Sequence, residues 1–173
     1  MNERLQKAVL QATIRFADAA DRGLFARLTD KATPETVVEW LRGVEHIVSQ
    51  TYTGKRKRYV NGSALVEDRT VLYNPRFLEV AEDFELLDVV LHEIGHLFVW
   101  DFVRDARGKR CAHHGSEWRL LGWIVGYAPQ GSKSREGRRR LIRDVEYHRT
   151  NQTEAWKRAV MPLSLLYALR RAS

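Results

Sequence analysis

The segment from Leu86 to Val103 constrains the fold of this chain more than any other. It reads LLDVVLHEIGHLFVWDFV, and its apolar residues recur at the spacing of a buried helix face. His92 and His96 lie four residues apart, so on a helix both side chains project from one face, one turn apart. Polar side chains without partners are costly in such apolar surroundings. The segment therefore predicts a buried helix whose two histidines share a partner.

The residues HEIGH at 92–96 have the spacing of the HExxH zinc motif. Two imidazole nitrogens placed in this way can reach one zinc ion at about 2.0–2.1 Å. Glu93 lies about 100° round the helix, beside the ion, where a general base for water belongs. Gly95 costs about 1 kcal/mol relative to alanine in a helix, which indicates the close approach of another backbone. An ordinary core helix with two histidines at its rim is the alternative.

The segment AHHGSEW, which follows Cys111, supplies the candidates for a third ligand. It leads into a second amphipathic helix, predicted over residues 116–125, that can present a side chain from a rigid element. His114 and its neighbour His113 both qualify, and Glu117 is a third possibility because some zinc peptidases use a downstream carboxylate. Spacing alone does not distinguish them. The cysteine is soft enough to bind zinc, but a lone buried thiol is commoner.

Length and composition favour one folded, intracellular protein. A chain of 173 residues is short for two full cores, and 44% apolar with 29% charged residues is a globular composition. The single cysteine excludes an intramolecular disulfide and a cysteine-based zinc ribbon, which fits a reducing compartment. We find neither a signal-peptide arrangement nor an uncharged apolar run of membrane length. We therefore expect a cytoplasmic protein, in which association with a nucleoid or nucleus is possible, and no membrane partner.

The positive charge is concentrated near the end of the sequence. Residues 1–130 hold 18 basic and 18 acidic residues, whereas residues 131–173 hold 11 and 4, which accounts for the net charge of +7. Dense basic clusters favour contact with the phosphates of DNA, although a solvated basic surface is the alternative. The candidate nucleic-acid contacts are Lys55, Arg56, Lys57, Arg58, Arg138, Arg139 and Arg140.

Three further helices are predicted outside the histidine-bearing segments. Apolar spacing predicts a helix over residues 3–28 that stops near Gly23. Thr33, followed by a proline, begins a second helix, which the apolar spacing continues to Val48. A last helical pattern lies in residues 155–172, at the end of the basic segment.

Short alternating segments in residues 51–73 predict a small antiparallel sheet. Asn61-Gly62 is the strongest hairpin-turn dipeptide of the chain. In many zinc peptidases an edge strand near the metal helix binds the substrate backbone by β-addition. A short helical piece over residues 76–81 follows the sheet, and Asp83 is predicted to cap the metal helix.

The two histidine-bearing helices together resemble a known family. VVLHEIGHLFVW, followed by HGSEW at 114–118, is similar to the SprT-like metallopeptidases, which include the Spartan-type DNA–protein crosslink proteases. The resemblance covers about residues 35–128. It implies an α+β, zincin-like metallopeptidase core with N-terminal helices, a small antiparallel β-sheet, an HExxH helix and an HGxxW helix, before a basic C-terminal tail. Because the family's histidine directly precedes glycine, the resemblance implies Zn²⁺ ligands His92, His96 and His114, with Glu93 as the catalytic base.

The chain departs from the family pattern in two places. The linker between His96 and His114 is long, and one cysteine cannot build the zinc ribbon that many members carry. A basic segment stands in place of the ribbon. We therefore predict a SprT-like metallopeptidase domain over residues 1–130 and a basic, partly helical extension over residues 131–173.

The resemblance implies a zinc-dependent protease that acts on protein substrates on or near DNA. One alternative is a nucleic-acid-binding accessory protein that keeps a structural zinc site and has little proteolytic activity. An intact Glu93 argues against it, since a structural site needs no base. A zinc-dependent hydrolase with a non-peptide substrate is a third possibility.

Overall fold

The computed structural model describes residues 2–49, 52–53, 58–104, 108–112, 114–129 and 134–160. Over this part of the chain the fold is α+β, as predicted. The helices are α1 (Glu3–Asp21), α2 (Pro34–Arg42), α3 (Pro75–Val80), α4 (Asp83–Phe102), α5 (Ser116–Val125), α6 (Arg135–Thr150) and α7 (Glu154–Val160). The strands are β1 (Glu45–Val48), β2 (Tyr52–Thr53), β3 (Arg58–Tyr59), β4 (Gly62–Leu65) and β5 (Thr70–Tyr73).

The main sheet is mixed, which corrects the prediction of a purely antiparallel sheet. Its strand order is β1-β5-β4, with β1 parallel to β5 and β4 antiparallel to it. Strands β2 and β3 form a separate antiparallel pair. Alternating residues reveal that a strand exists, but the direction of its neighbour depends on the path of the intervening chain. In the described part of the chain β4 is an edge strand of the main sheet, and it packs against α4.

The prediction that the second helix reaches Val48 is wrong. Helix α2 starts at the predicted Thr33 cap but ends at Arg42, with Gly43 as its C-cap. Residues 45–48 form β1 instead, whose backbone is paired along β5. Two of these residues, Ile47 and Val48, also fit a helical apolar pattern, so the long-range pairing overrides the local signal.

Asn61-Gly62 does not form a hairpin turn. The hairpin joins β4 to β5 through residues 66–69, whereas Gly62 begins β4. A Cβ atom at Gly62 would lie 2.9 Å from Val89 Cγ1 and 3.0 Å from Glu93 Cγ, both on α4. Glycine is therefore required for a close approach of strand to helix, and the turn signal was misleading.

The ends of α1 and α4 also differ from the predictions. Helix α1 ends at Asp21, and Gly23, at φ 65°, leads into a 3₁₀ turn over residues 24–27. The N-cap of α4 is Glu82, not Asp83. Glu82 forms a capping box with Glu85, so the two carboxylates satisfy the first backbone N–H groups reciprocally.

Helix α4 is the centre of the molecule. It packs against α1, α5, α6 and β4, and its residues Leu91, Ile94 and Leu97 are fully buried. The predicted helix over the histidine motif is thereby confirmed. No helix in the described ranges is both long and apolar enough to cross a membrane.

The basic C-terminal segment packs on this core through α6 and α7. Ile142 and Val145 of α6 are buried, and so are Trp156 and Val160 of α7. The Trp156 indole also donates a hydrogen bond to the Trp123 carbonyl oxygen at 2.8 Å. Residues 161–172 of the predicted last helix lie outside the described residues, and the domain boundary near residue 130 stays a prediction.

Candidate metal centre

Three histidines from two helices converge at one point. His92 and His96 come from α4, and His114 lies just before α5. One ligand nitrogen from each ring lies within 4.8 Å of the other two. The Nε2 atoms of His96 and His114 are 3.1 Å apart, close to the roughly 3.3 Å that tetrahedral geometry gives for two imidazole ligands of one zinc ion. The geometry of the three rings therefore suits a single metal ion.

The chain makes a tight turn at His114, and this turn leaves no room for a side chain at the next residue. His114 has φ 59°, in the left-handed region that non-glycine residues seldom adopt. Gly115 then caps α5, and a Cβ atom there would lie 3.1 Å from the Ala112 carbonyl oxygen. This tight turn gives the imidazole its place beside α4, at a backbone cost of about 1–3 kcal/mol.

The other candidates for the third ligand are not part of this cluster. Glu117 accepts a hydrogen bond from the Ser116 hydroxyl at 2.9 Å. Among the described residues only His92, His96 and His114 form a group with metal-ligand spacing, so Cys111 and Glu117 do not belong to it. His113 lies outside the described residues.

Trp118 packs against all three imidazoles. Its ring centroid lies 4.7 Å from that of His92, 5.4 Å from that of His96 and 4.5 Å from that of His114. The indole is nearly parallel to the His96 ring, at 17°. Because Trp118 is one turn beyond His114 on α5 and is 2% exposed, it restricts the orientations of the rings, as the packing around a metal site must.

Tyr127 fixes the separation of α4 and α5. A Cβ atom at Gly95 would lie 3.0 Å from the Tyr127 ring, and one at Gly122 would lie 2.8 Å from it. The Tyr127 hydroxyl donates a hydrogen bond to the Trp118 carbonyl oxygen at 2.6 Å. The expected backbone neighbour of Gly95 is thus an aromatic side chain, and the two glycines make room for it between the helices that carry the histidines.

Glu93 is a buried carboxyl group beside the three rings. Its Oε1 atom lies 4.0 Å from His92 Nε2, and only 8% of the residue is exposed. Burial raises the pKa of Glu93 to about 7, although the backbone N–H of Ala64 and the charge of Arg138 act in the opposite direction. A carboxyl group with a pKa near neutrality is well matched to accept a proton and return it.

The histidines suit zinc as donors. Burial lowers the pKa of His92 well below its usual value, and the charges of His96, Arg138 and His114 act in the same direction. His92 is therefore neutral at pH 7, as a metal ligand has to be. Three imidazoles that leave a fourth position open are the ligand set of a catalytic zinc site.

The three rings open onto a cleft of about 820 Å³. Residues 60–64, which include most of β4, line one side of it, and α6 lines another through Arg135, Arg138 and Ile142. Sequence reasoning did not anticipate that the basic segment contributes a wall of the cleft. The sequence signal that could have predicted this wall is the group of acidic residues at the start of α4, because a basic helix can form ion pairs with them.

Among the described residues, the predicted nucleic-acid contacts Arg138, Arg139 and Arg140 do not share one surface. Arg138 pairs with Asp88 at 2.6 Å, and Arg139 pairs with Glu82 at 2.6 Å and with Glu85 at 3.1 Å. Both arginines are therefore bound to α4, whereas Arg140 on the same helix is exposed. Lys55, Arg56 and Lys57 lie outside the described residues, and of Arg58 the structure describes only its place in β3.

Replacing Gly62 by alanine should destabilise the protein by about 1–3 kcal/mol, because the new methyl group would overlap Val89 and Glu93. Urea unfolding measures the change. Gly43→Ala is the matched control, since its nearest contact would be an ordinary 3.5 Å. Equal stabilities of the two variants would contradict a close approach of β4 to α4.

The comparisons with known proteins agree with this geometry. The model of the SprT-like family matches residues 24–137, well over half of the chain. The matched range includes all three histidines and Glu93, and it ends in the first turn of α6. Searches of the curated proteins and of the solved structures find no match. Helix α4 presents His92 and His96 to a third histidine beside the next helix, as the family resemblance implied. Because the family model also matches well over half of its length, the chain belongs to the SprT-like family.

Proposed function

We propose that this protein is a zinc metallopeptidase that hydrolyses peptide bonds in proteins on or near DNA. The observation that carries the proposal is the convergence of three imidazoles beside a buried carboxyl group, at an open cleft. Membership of the SprT-like family supports it. We also propose that the core is zincin-like, with the metal helix α4 lying against an edge strand.

The residues of the chain divide the chemistry between them. Zinc held by His92, His96 and His114 would supply a Lewis acid that polarises a carbonyl group and acidifies water. Glu93 takes the proton of the attacking water and passes it to the nitrogen of the leaving amine. A pKa near 7 allows both transfers at neutral pH.

The edge strand β4 is placed to align a substrate. It lies along the cleft, and its outer backbone edge has no neighbouring strand in the described part of the sheet. An extended peptide can add to such an edge through main-chain hydrogen bonds. Binding of this kind depends little on the side chains, which suits an enzyme that cleaves unfolded protein segments.

The test of the proposal is hydrolysis of an unfolded protein such as casein, and of a DNA-bound protein, with and without single- and double-stranded DNA. We expect cleavage that a zinc chelator abolishes and added zinc restores. A protein that binds DNA and one zinc ion but cleaves neither substrate under any condition would support the accessory-protein alternative instead.

We propose that DNA contacts the outer face of α6. Arg140, Arg143 and Tyr147 are exposed there at helical spacing, and 61% of Tyr147 is accessible. Two cations can bind phosphates, and a phenol ring can stack on an unpaired base. The inner face of α6 is already paired with α4, so its arginines contribute less to such a surface.

The double variant Arg140→Gln/Arg143→Gln should bind DNA more weakly and with a smaller salt dependence. If two phosphate contacts are lost, the slope of log K against log salt should fall by about 1.4–1.8. Fluorescence anisotropy at several salt concentrations measures both quantities.

The control for this experiment is Arg42→Gln/Arg119→Gln, which removes the same charge from exposed positions on α2 and α5. An equal loss of affinity in the two double variants would indicate a general effect of net charge and would contradict a specific role of α6.

A further inference from the structure

Hydrolysis of a peptide bond places negative charge on the carbonyl oxygen. The water oxygen forms a bond to the carbonyl carbon, the π electrons move to the carbonyl oxygen, and Glu93 takes the water proton. When the C–N bond breaks, the proton goes to the amine nitrogen. A preorganised cation beside that oxygen, in a site that excludes water, is usually worth several kcal/mol in such reactions.

Two cationic side chains line the cleft among the residues that the structure describes, Arg135 and Arg138. They lie one turn apart on α6, and each is paired with an acidic residue of α4. Arg135 binds Glu85 through two nitrogens, at 2.6 and 2.8 Å. Arg138 also donates through two nitrogens, at 2.6 and 3.0 Å, but both contacts go to the same Asp88 oxygen, Oδ2.

The two pairs differ in burial. Both carboxylates are buried, Asp88 at 2% and Glu85 at 8% exposure, but the Arg138 side chain is 25% exposed and the Arg135 side chain is 54% exposed. The second carboxylate oxygen of Asp88 accepts a hydrogen bond from the Ala128 backbone N–H at 2.8 Å. A charged pair with one partner fully buried and both of its oxygens engaged has a fixed orientation, because breaking it would leave a charge without a partner.

The two arginines also differ in where their partners lie on α4. Asp88, the partner of Arg138, is one turn before His92, so the two side chains lie on the same face of the helix. Arg135 acts on Glu85 and lies towards the start of α4, where it also donates to the Val80 carbonyl oxygen.

From these contacts we propose that Arg138 is a further catalytic residue, whose guanidinium group, held by Asp88, stabilises the developing negative charge on the scissile carbonyl oxygen. The proposal rests on the peptidase function proposed above. On this proposal the basic segment contributes to catalysis, since helix α6 positions Arg138 in the cleft.

The test compares two double variants that neutralise adjacent ion pairs of the same two helices. Asp88→Asn/Arg138→Gln removes both charges and retains groups that can form hydrogen bonds, so no buried charge is left without a partner. We expect kcat to fall about 10²-fold with little change in KM. The control, Glu82→Gln/Arg139→Gln, neutralises an ion pair of 2.6 Å whose residues do not line the cleft. It should stay within about threefold of wild type, because Glu85 keeps both of its contacts with Arg135.

Arg138→Lys separates charge from geometry. Lysine retains the cation but cannot form the two-nitrogen contact with Asp88, so we expect a kcat between those of wild type and the neutral double variant. A kcat for Asp88→Asn/Arg138→Gln equal to that of the control pair would overturn the proposal, provided both variants unfold at wild-type temperature.

A second measurement does not depend on hydrolysis. Inorganic phosphate carries tetrahedrally arranged anionic oxygens, and its binding to the Co²⁺-loaded protein can be followed by the visible spectrum of the metal. Phosphate should bind at least about tenfold more weakly to Asp88→Asn/Arg138→Gln than to wild type or to the control pair.

The outcomes of the phosphate titration separate the two proposals. If wild type cleaves no protein but its phosphate binding depends on Arg138, the peptidase function fails and the anion-stabilising role stands. Absence of a phosphate effect in wild type, or equal phosphate affinities of the two double variants, would refute the role of Arg138.

Discussion

Replacing Glu93 by glutamine should reduce hydrolysis by about 10²-fold or more while leaving zinc content and melting temperature close to wild type. Glutamine has nearly the same size, and its carbonyl oxygen can still accept the hydrogen bond of the Ala64 backbone N–H. The variant loses only the ability to take a proton from water. Initial rates on casein, zinc content by atomic absorption and thermal unfolding measure the three quantities.

Glu117→Gln is the matched control for this substitution. It removes a carboxylate from the adjacent helix, where the side chain accepts a hydrogen bond from Ser116 and lies outside the histidine cluster. We expect nearly wild-type rates. A Glu93→Gln variant that cleaves as fast as wild type would show that another group is the base.

The second large effect is expected from His114→Asn, which should weaken zinc binding by more than about 100-fold, since a direct ligand matters more than its supporting neighbours. Asparagine tolerates the left-handed backbone that His114 adopts at φ 59°, so the turn before α5 is preserved. The loss is then attributable to the imidazole. Competition with a chromogenic zinc chelator measures the dissociation constant.

His113→Asn provides the comparison, because it removes the adjacent imidazole, the rival candidate in the sequence. We expect it to bind about one zinc ion per chain with wild-type affinity. The opposite pattern, with zinc retained in His114→Asn and lost in His113→Asn, would identify His113 as the third ligand.

Several features of this protein follow from local sequence. His92, Glu93 and His96 belong to one helix, so a spacing of four residues is enough to place both imidazoles on one face. The bounds of α5 agree with the predicted residues 116–125, because its apolar period is uninterrupted. The adjacency of His114 and Gly115 is also local, and the structure gives its reason in a tight turn.

Other features depend on residues far apart in the chain. The parallel pairing of β1 with β5 converted a helical apolar pattern into a strand, since backbone hydrogen bonds to β5 compensated for the lost helical turn. Gly62 has the local signature of a turn, but the close packing of β4 on α4 decides its role.

The charged residues show most clearly which features the sequence does not determine. The sequence determined that the last 43 residues are basic, and that helix α4 begins with acidic residues. It could not determine that Arg138 pairs with Asp88, 50 positions away, because an ion pair between distant elements has no characteristic spacing in the sequence. Only the packing of α6 on α4 decided which arginines face water and which line the cleft. The candidate metal ligands could be predicted from the sequence because two of them lie on one helix. The cleft could not, because its walls come from three separate parts of the chain.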